Sequence, residues 1–595
     1  MRKIFSIILL LVVLSTNILS VNALSKYSYK YDDFLSKYRI LVKTKYDVIV
    51  YGSDPEGIST AVSAARAGSK VLLIDKRDKI GGLFTLGWLN FLDMNYYKQT
   101  LLTGGIFEEF FNKVEGYAFK ITTAIKVFNK MIKDETNITV LLNAKNITPI
   151  IHNNKITGIK ATILNSNKHF YCDSIIDASQ NGDLASDAGV PFTLGQAAIG
   201  GPEYGMAVTQ VFSLKGMSSA EWNKLCKYLK NDNDIHSNSN KNTAWGFGNF
   251  SDLYKPTQNN VQLRGLNLAR EPNGIIMVNA LKIYAINPLD NKSLEEAKKM
   301  AKEELKLIIP FLRKNVPYMK HIELDSLAPE LYIRESRHFS TVYQLTIDDI
   351  LENKDFDDRI ALGSYPVDMQ GTTPKDALIV GNPLKYSVPL RSIVPINIDN
   401  LFIVGRTAGF DALAHGSTRV VPIGMCTGEA AGLAATFINK HKISNKQLVD
   451  NKKLVSELQN KLIANGAYLK PFNIKTEITK HPCYDGLKLV RKYGQICGNY
   501  NNDYLLDKNI TNMQFMWLFD GLSKRIKWEL TDIFNRIYDY EPLTFNNVLY
   551  NFSKNKELCE YLKISEMFKD IDYEKKLTKG ESTMVLYYCK QFISK

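Results

Sequence analysis

The sequence predicts an α/β protein in which a parallel, doubly wound domain is interrupted by an α+β insertion and followed by a small helical domain. Three observations carry that prediction. The stretch Lys45–Asp75 reads as strand, tight turn, helix and strand, and Val48 to Tyr51 form an apolar run suited to a buried parallel strand. Two later stretches, Ser174–Asp183 and Asn400–Gly409, are again apolar strands running into small-residue turns, so the chain returns twice to the same sheet. Between them, residues 201–385 change texture, with aromatic and polar runs such as Trp245–Phe250 and one long amphipathic helix.

Taken in order, the chain opens with Arg2–Lys3, an apolar core from Ile4 to Leu14, and small residues at Val21–Asn22–Ala23. This is the plan of a secretory signal peptide over residues 1–23, followed by a linker over 24–45. The apolar run is short for a membrane span. A secreted or cell-surface location is therefore expected, with no stable transmembrane segment after signal cleavage. The seven cysteines are dispersed and contain no Cys-x-x-Cys, which argues against a dithiol redox centre or a zinc site; no metal is expected. Cys483 and Cys497 are near enough in sequence to pair, and the spacing alone leaves that open. The net charge of +14 is spread as scattered lysines with no dense basic run. That speaks against nucleic-acid binding, while a basic surface favours anionic wall polymers.

Gly52 and Gly57 punctuate the first turn, and the helix after it, with Ala61, Ala64 and Ala65, is small enough to lie close on a sheet. A turn of this kind aims backbone N–H groups and a helix N-terminus at a pyrophosphate. Asp75 lies about 20 residues beyond the glycines, where a carboxylate accepts hydrogen bonds from a ribose diol. Asp54 stands where the middle glycine of Gly-x-Gly-x-x-Gly belongs, and its charge has to point away from a pyrophosphate. Gly81–Gly82 follow as a second place of close backbone approach. Leu101 to Val114 reads as a loop feeding a helix, and Val140 to Ile176 as a β-meander with turns at Asn153–Asn154 and Asn165–Asn167. The strand from Ser174 ends at Asp177, Ala178 and Ser179, near the same crevice as Gly52. The insertion carries a helix over Leu294–Arg313 and the charged run Arg334–Arg337. Tyr386–Pro395 then re-enters the first domain, Asn400–Gly409 ends in a Gly405–Arg406 turn, and Asp411–Arg419 is a polar loop holding His415. An Ala/Gly helix starts near Pro422, a residue suited to a first turn.

Together these motifs resemble the bacterial FAD-dependent oxidoreductases of the glutathione-reductase-like FAD superfamily, over Tyr46 to Phe472. The blocks that carry the resemblance are Tyr51–Gly57, Gly81–Gly82, Ile176–Asp183, Arg334–Arg337, Val388–Pro395 and Val404–Arg419. The resemblance implies a Rossmann-like FAD-binding domain in two parts, 46–200 and 386–475, around a substrate or cap domain at 201–385. It implies FAD as the cofactor, with Gly52, Gly57 and Asp75 holding the ADP half, Gly81 and Gly82 the diphosphate region, and Arg406 marking a second flavin-contacting strand. Ser53, Pro55, Glu56, Lys76, Ala178, Ser179, Gly405 and Gly424 complete the expected cofactor-binding set. The helix from Pro422 is expected to aim its N-terminus at the flavin N1–C2=O edge, where reduction places negative charge.

The tail, 476–595, resembles degenerate S-layer homology repeats, helical modules that hold exported proteins on cell-wall polysaccharide. One copy runs from Leu487 to Phe515 and a partial second begins at Met567. The polymer-binding Thr-Arg-Ala-Glu signature reads Thr511-Asn-Met-Gln514 in one and Thr578-Lys-Gly-Glu581 in the other, so the first lacks the arginine fork for anionic sugar substituents. A helical module that merely packs on the rest of the chain is the alternative. The function expected is an exported enzyme moving a hydride between FAD and a small organic molecule; the alternative is a cell-surface binding or scaffold protein with a vestigial flavin fold. Arg337, Arg391, His415 and Arg419 are the catalytic candidates, the arginines to clamp an anion and His415 to trade a proton. Three of the four have a structural alternative: an ion-pair network for Arg337, a domain bridge for Arg391, a loop cap for His415. A disulfide reductase needs a second glycine fingerprint and paired cysteines, which this sequence does not contain.

Overall fold

Val48–Tyr51 (β1) is buried along its whole length, as a strand with parallel neighbours on both sides has to be. The computed structural model describes residues 43–532 and 534–594; the expected signal peptide and nearly all of the linker lie outside the described residues. From β1 the chain turns into Pro55–Arg66 (α1) and returns as Val71–Ile74 (β2), parallel to β1 in register Val48 to Val71. Ile121–Lys133 (α2) buries Ile121, Ala124, Phe128 and Ile132 on one face, and leads to Ile138–Leu141 (β3) beside β2. Ser174–Asp177 (β4) pairs with the other edge of β1, and Leu401–Ile403 (β5) pairs with β4. The order β3-β2-β1-β4-β5 is that of a doubly wound dinucleotide domain. Its fold class is the expected one.

The expected meander differs in extent. Its two ends, β3 and β4, belong to the parallel sheet, and only 145–152, 155–163 and 166–171 form the antiparallel layer. Asn153 and Asn154 both take positive φ, as a two-residue hairpin turn demands. The second turn falls at Leu164–Asn165, not at Asn165–Asn167. An exposed Leu with φ of 48° is an unfavourable turn residue, which hid it from the sequence.

Val421–His441 (α3) is the spine of this domain. It is long and apolar enough to cross a membrane by length and composition, yet it is buried within the protein. It lies against α1 at backbone distance: a Cβ at Gly428 would strike the Glu56 carbonyl, and one at Gly432 the Thr60 carbonyl. Ser59 Oγ donates to the Met425 carbonyl (2.9 Å) and Ser63 Oγ to the Glu429 carbonyl (2.7 Å), stitching the helices together.

The insertion is built on a six-stranded sheet, antiparallel throughout, with Val261–Arg270, Ile276–Ile283 and Val208–Lys215 at its centre. The helix Asn291–Asn315, capped by the Asp290 carboxylate, contributes Leu305, Ile308 and Leu312 to the same core as Phe212 and Trp222. Tyr386–Pro389, where re-entry into the first domain is expected, is not a strand of the parallel sheet and pairs antiparallel with Arg359–Gly363. Arg391 then sits in a short 3-10 turn, Leu390–Ile393.

In the tail, Thr511, Thr544 and Thr578 each cap a helix through a capping box, with Gln514, Asn547 and Glu581. The residues before them close a ring of backbone hydrogen bonds: Ile510 N–H to Leu577 O, Leu577 N–H to Leu543 O, Leu543 N–H to Ile510 O. Three similar units therefore meet around one axis, where the sequence had offered two. The third reads Thr544-Phe-Asn-Asn547. An Asn in place of Glu or Gln masks the signature, though it still closes the box.

Candidate active site

The carboxyl ends of β1, β4 and β5 open onto one crevice, because connections leave a doubly wound sheet at that edge. It is lined by Asp54, Glu56, Leu83, Ala178, Ser179, Gly405, Arg406 and Val421. The first turn is tight: a Cβ at Gly57 would strike the Gly52 carbonyl. Val421, the first residue of α3, stands at the crevice, so a helix N-terminus faces it as expected. The crevice is narrow, about 30 Å³, with Glu56, Leu83 and Arg406 along its walls. Burial and the nearby Asp54 push the Glu56 carboxyl up to about 7.

Asp54 does point aside. Its Oδ2 accepts from Arg77 Nη2 (2.7 Å) and its Oδ1 from the Leu83 N–H (3.1 Å), while Gly82 packs so closely that a Cβ there would overlap the carboxylate. Asp75 closes β2 and accepts from Ser53 N–H and Oγ (both 2.6 Å) and from Arg77 Nη2 (2.7 Å). Burial opposes its charge, but Arg77 and Ser53 outweigh burial and hold it below the usual carboxylate range. Lys76, expected among the cofactor residues, turns outward to Asp183 (3.3 Å). Arg77 takes the inner position, its main-chain N–H (2.9 Å) and its guanidinium donating to Asp75. Ala178 lines the crevice with Ser179, whose N–H donates to Asp177 (2.9 Å). Gly424 lies against the Glu56 side chain. Arg406 donates to the Ile333 carbonyl (2.8 Å) and to Asn181 Oδ1 (3.2 Å), while its buried Nε has no partner among the described residues. Among these groups, the glycine turn, the Asp75 carboxylate, the helix N-terminus and that spare guanidinium donor fit an adenine dinucleotide.

Beyond the crevice lies a polar cavity of about 510 Å³, roofed by the inserted sheet. Tyr332, Arg334 and Arg419 line both spaces and so form their common wall. Arg419 Nη1 donates to Tyr332 Oη (2.9 Å) and Nη2 to Asp368 (3.2 Å). Arg334 is buried, stacks 4.1 Å from the Tyr332 ring centre, and donates to the Ala207 carbonyl and Thr209 Oγ1, both at 2.8 Å. Asp93 faces the same cavity; burial raises its pKa, and Tyr365 Oη donates to it (3.2 Å).

Of the four catalytic candidates, only Arg419 reaches this wall. Arg391 forms a bidentate pair with Asp358 (2.9 and 3.1 Å) over the Tyr343 ring and lines neither space. Arg337 donates to the Asn181 carbonyl (2.8 Å) and Asp183 (3.1 Å), drawn off by the strand that pairs with Phe192–Leu194. His415 is fully buried in the short helix His415–Thr418, behind Arg334: its Nε2–H donates to the Arg334 carbonyl (2.8 Å) and its ring meets His338 edge-on. Burial first, then His338 and Arg419, hold its pKa well below the ordinary value, so it is neutral. Arg391, His415 and Arg419, three of the four candidates, therefore do not meet at one space. Sequence reasoning missed Arg77, Tyr332 and Arg334. Nothing local marked Arg77 or Tyr332, since the strand ends at Ile74 and Arg77 lies in the bend after it.

No curated protein matches the chain in sequence. Among solved structures, a geranylgeranyl bacteriochlorophyll reductase-like protein from Thermoplasma acidophilum is 14% identical, covering 82% of this chain and 98% of that one, with a TM-score of 0.36. A p-nitrophenol 4-monooxygenase from Pseudomonas putida is 10% identical over 72% of this chain and 91% of that one (TM-score 0.34). A myxobacterial chondrochloren halogenase is 12% identical over 92% and 98% (TM-score 0.35). Likenesses this remote say nothing of the reaction. The family model described as FAD dependent oxidoreductase matches residues 47–462. A match of that length, running through both parts of the parallel domain and the insertion between them, makes the chain a member of the FAD-dependent oxidoreductase family.

Proposed function

We propose that this flavoenzyme is exported and moves a hydride between FAD and a small polar organic molecule held in the 510 Å³ cavity. The observation that carries the reading is the wall of Tyr332, Arg334 and Arg419 shared by crevice and cavity, which sets a substrate directly against the cofactor's place. FAD, when bound, supplies the hydride donor or acceptor. The Gly52–Gly57 turn and the α1 N-terminus receive its pyrophosphate, and Asp75 its ribose. Arg77 keeps the Asp54 charge turned from that path. On the substrate side Arg419 and Arg334 present fixed cations to an electron-rich group. His415 acts at one remove, holding the Arg334 main chain.

The test is direct. Purified chain should show a flavin spectrum, and small organic acids, sugars and amines should be screened under anaerobic conditions for bleaching of that spectrum. Asp75→Ala should weaken FAD binding by roughly 1.5–3 kcal/mol, the worth of hydrogen bonds to a charged group. Protein that stays colourless with added FAD would favour the scaffold alternative. Export is checked by the start of the mature protein, expected near Leu24. The ring of three capped units supports attachment of the tail to cell-wall polysaccharide; a pull-down on purified walls that leaves the chain in the supernatant would remove that role.

A further inference from the structure

We propose that the outer mouth of the cavity is an oxyanion-recognition site, where Arg264 and Lys282 of the inserted sheet take the carboxylate or phosphate of a small organic substrate. This rests on the reading of the cavity as the substrate chamber and adds the chemistry that the chamber admits. The cavity adjoins a second space of about 660 Å³, and Arg264, Lys282, His236 and Asp368 line both. Any molecule passing from one to the other meets these groups. Arg264 stands on a bulge, where the register with the neighbouring strand shifts between Leu263 and Asn267 and Gly265 takes a φ of 50°. Bulges of this kind re-aim side chains out of the sheet pattern. Lys282, on that neighbouring strand, is 9% exposed, and among the described residues it makes no ion pair.

A buried amine with cations around it is costly to keep charged. Burial, then the fields of Arg334 and Arg264, lower the Lys282 pKa to about 7, with Asp368 opposing and Arg419 adding. Asp368 is already engaged by Arg419 at 3.2 Å. An oxyanion between Arg264 and Lys282 supplies the missing counter-charge, so it binds where a neutral molecule gains little. The remaining ionisable groups facing the chamber are His236, Asp93, Tyr332, Tyr365 and Tyr500. Tyr500 comes from the helical tail and is fixed on the rim, since Asn382 Nδ2 donates to its carbonyl (3.0 Å) and Asn382 N–H to Asn502 Oδ1 (2.7 Å).

The test is calorimetric titration of acetate and, separately, inorganic phosphate into the purified full chain at pH 6 and pH 9. Lys282 is cationic below about 7 and neutral above, so wild type should bind one of the two anions at pH 6 and about tenfold more weakly, or worse, at pH 9. Which anion binds distinguishes a carboxylate from a phosphorylated substrate. Lys282→Met and Arg264→Gln should each lose most of the affinity at pH 6. Lys282→Arg, which retains a fixed cation, should bind at pH 9 as at pH 6, and covers the case where the Met variant fails to fold. No binding of either anion by wild type at pH 6, or equal affinity in wild type, Lys282→Met and Arg264→Gln, overturns the proposal. Flavin absorbance on the same samples separates the two readings. Flavin present with variant-independent titrations sinks the anion mouth alone. Anion binding that the variants abolish in a protein unable to hold flavin sinks the substrate-chamber reading alone.

Discussion

At Asp54 a carboxylate occupies the place of a fingerprint glycine, and its neighbours neutralise the consequence. Arg77 is shared between Asp54 and Asp75, and Gly82 leaves room for the Asp54 side chain. Removing the guanidinium strands two carboxylates beside the pyrophosphate path. Arg77→Met should therefore weaken FAD binding at least tenfold, and Asp54→Gly added to it should restore much of the loss. A cycle in which the two changes simply add would disprove the coupling. The residue scale is also where sequence reading was least even. Asp75 was legible because its distance from the glycines is set by the length of one helix and one strand. His415, Arg391 and Arg337 were chosen for chemistry and nearness to motifs, but their direction depends on partners far away in sequence: the Arg334 carbonyl, Asp358 and Asp183.

At the scale of elements, the small residues of α1 and α3 were legible as close packers, and the structure adds what they pack against: each other. Gly432 faces the Thr60 carbonyl without room for a side chain, so Gly432→Leu should destabilise the protein by roughly 1–3 kcal/mol or more through overpacking. Denaturant unfolding that matched wild type would show that the helices can separate freely. One group on α3 has a pH signature. Glu429 is buried, accepts from the Ile106 N–H (2.8 Å), and burial pushes its carboxyl up to about 7. A carboxyl raised in the folded state stabilises the protein fully below its unfolded value near 4.5 and loses that contribution as pH rises through about 7. The loss amounts to roughly 3 kcal/mol at order of magnitude. Glu429→Gln keeps an acceptor for Ile106, so unfolding at pH 5 and pH 8 should differ less in the variant than in wild type. An unchanged pH dependence would assign it to other groups.

At the scale of the whole molecule, the tail was legible as a helical module, and its packing on the rest of the chain was one of two readings; which residues dock it was not legible, because they carry no local signature. Arg491 is the clearest of them. Its guanidinium is buried in the module and reaches across to Asp348 of the body, donating through Nη2 at 2.5 Å and Nε at 3.1 Å, and it also donates to the hydroxyls of Tyr484 (3.1 Å) and Tyr504 (3.4 Å). Tyr484 Oη donates across the same boundary to Glu352 (2.6 Å), and Asn382 and Asn502 exchange two hydrogen bonds, both 2.7 Å. These links predict that module and flavin domain unfold together in wild type, so that far-ultraviolet circular dichroism and flavin release trace one transition. Arg491→Ala removes the partner of a carboxylate whose side chain is 27% exposed. Water there repays part of the loss, and the expected cost is roughly 1–3 kcal/mol, below the full penalty for a wholly buried pair. The variant should then show two transitions, the module melting first, with flavin released only in the second. Because Tyr500 and its neighbours line the cavity mouth, the same variant should admit a collisional quencher such as iodide to the bound flavin more readily at temperatures between the two transitions. A single transition in the variant, shifted but not split, would mean that the body and the module are held by their remaining contacts and that Arg491 contributes stability without acting as the joint.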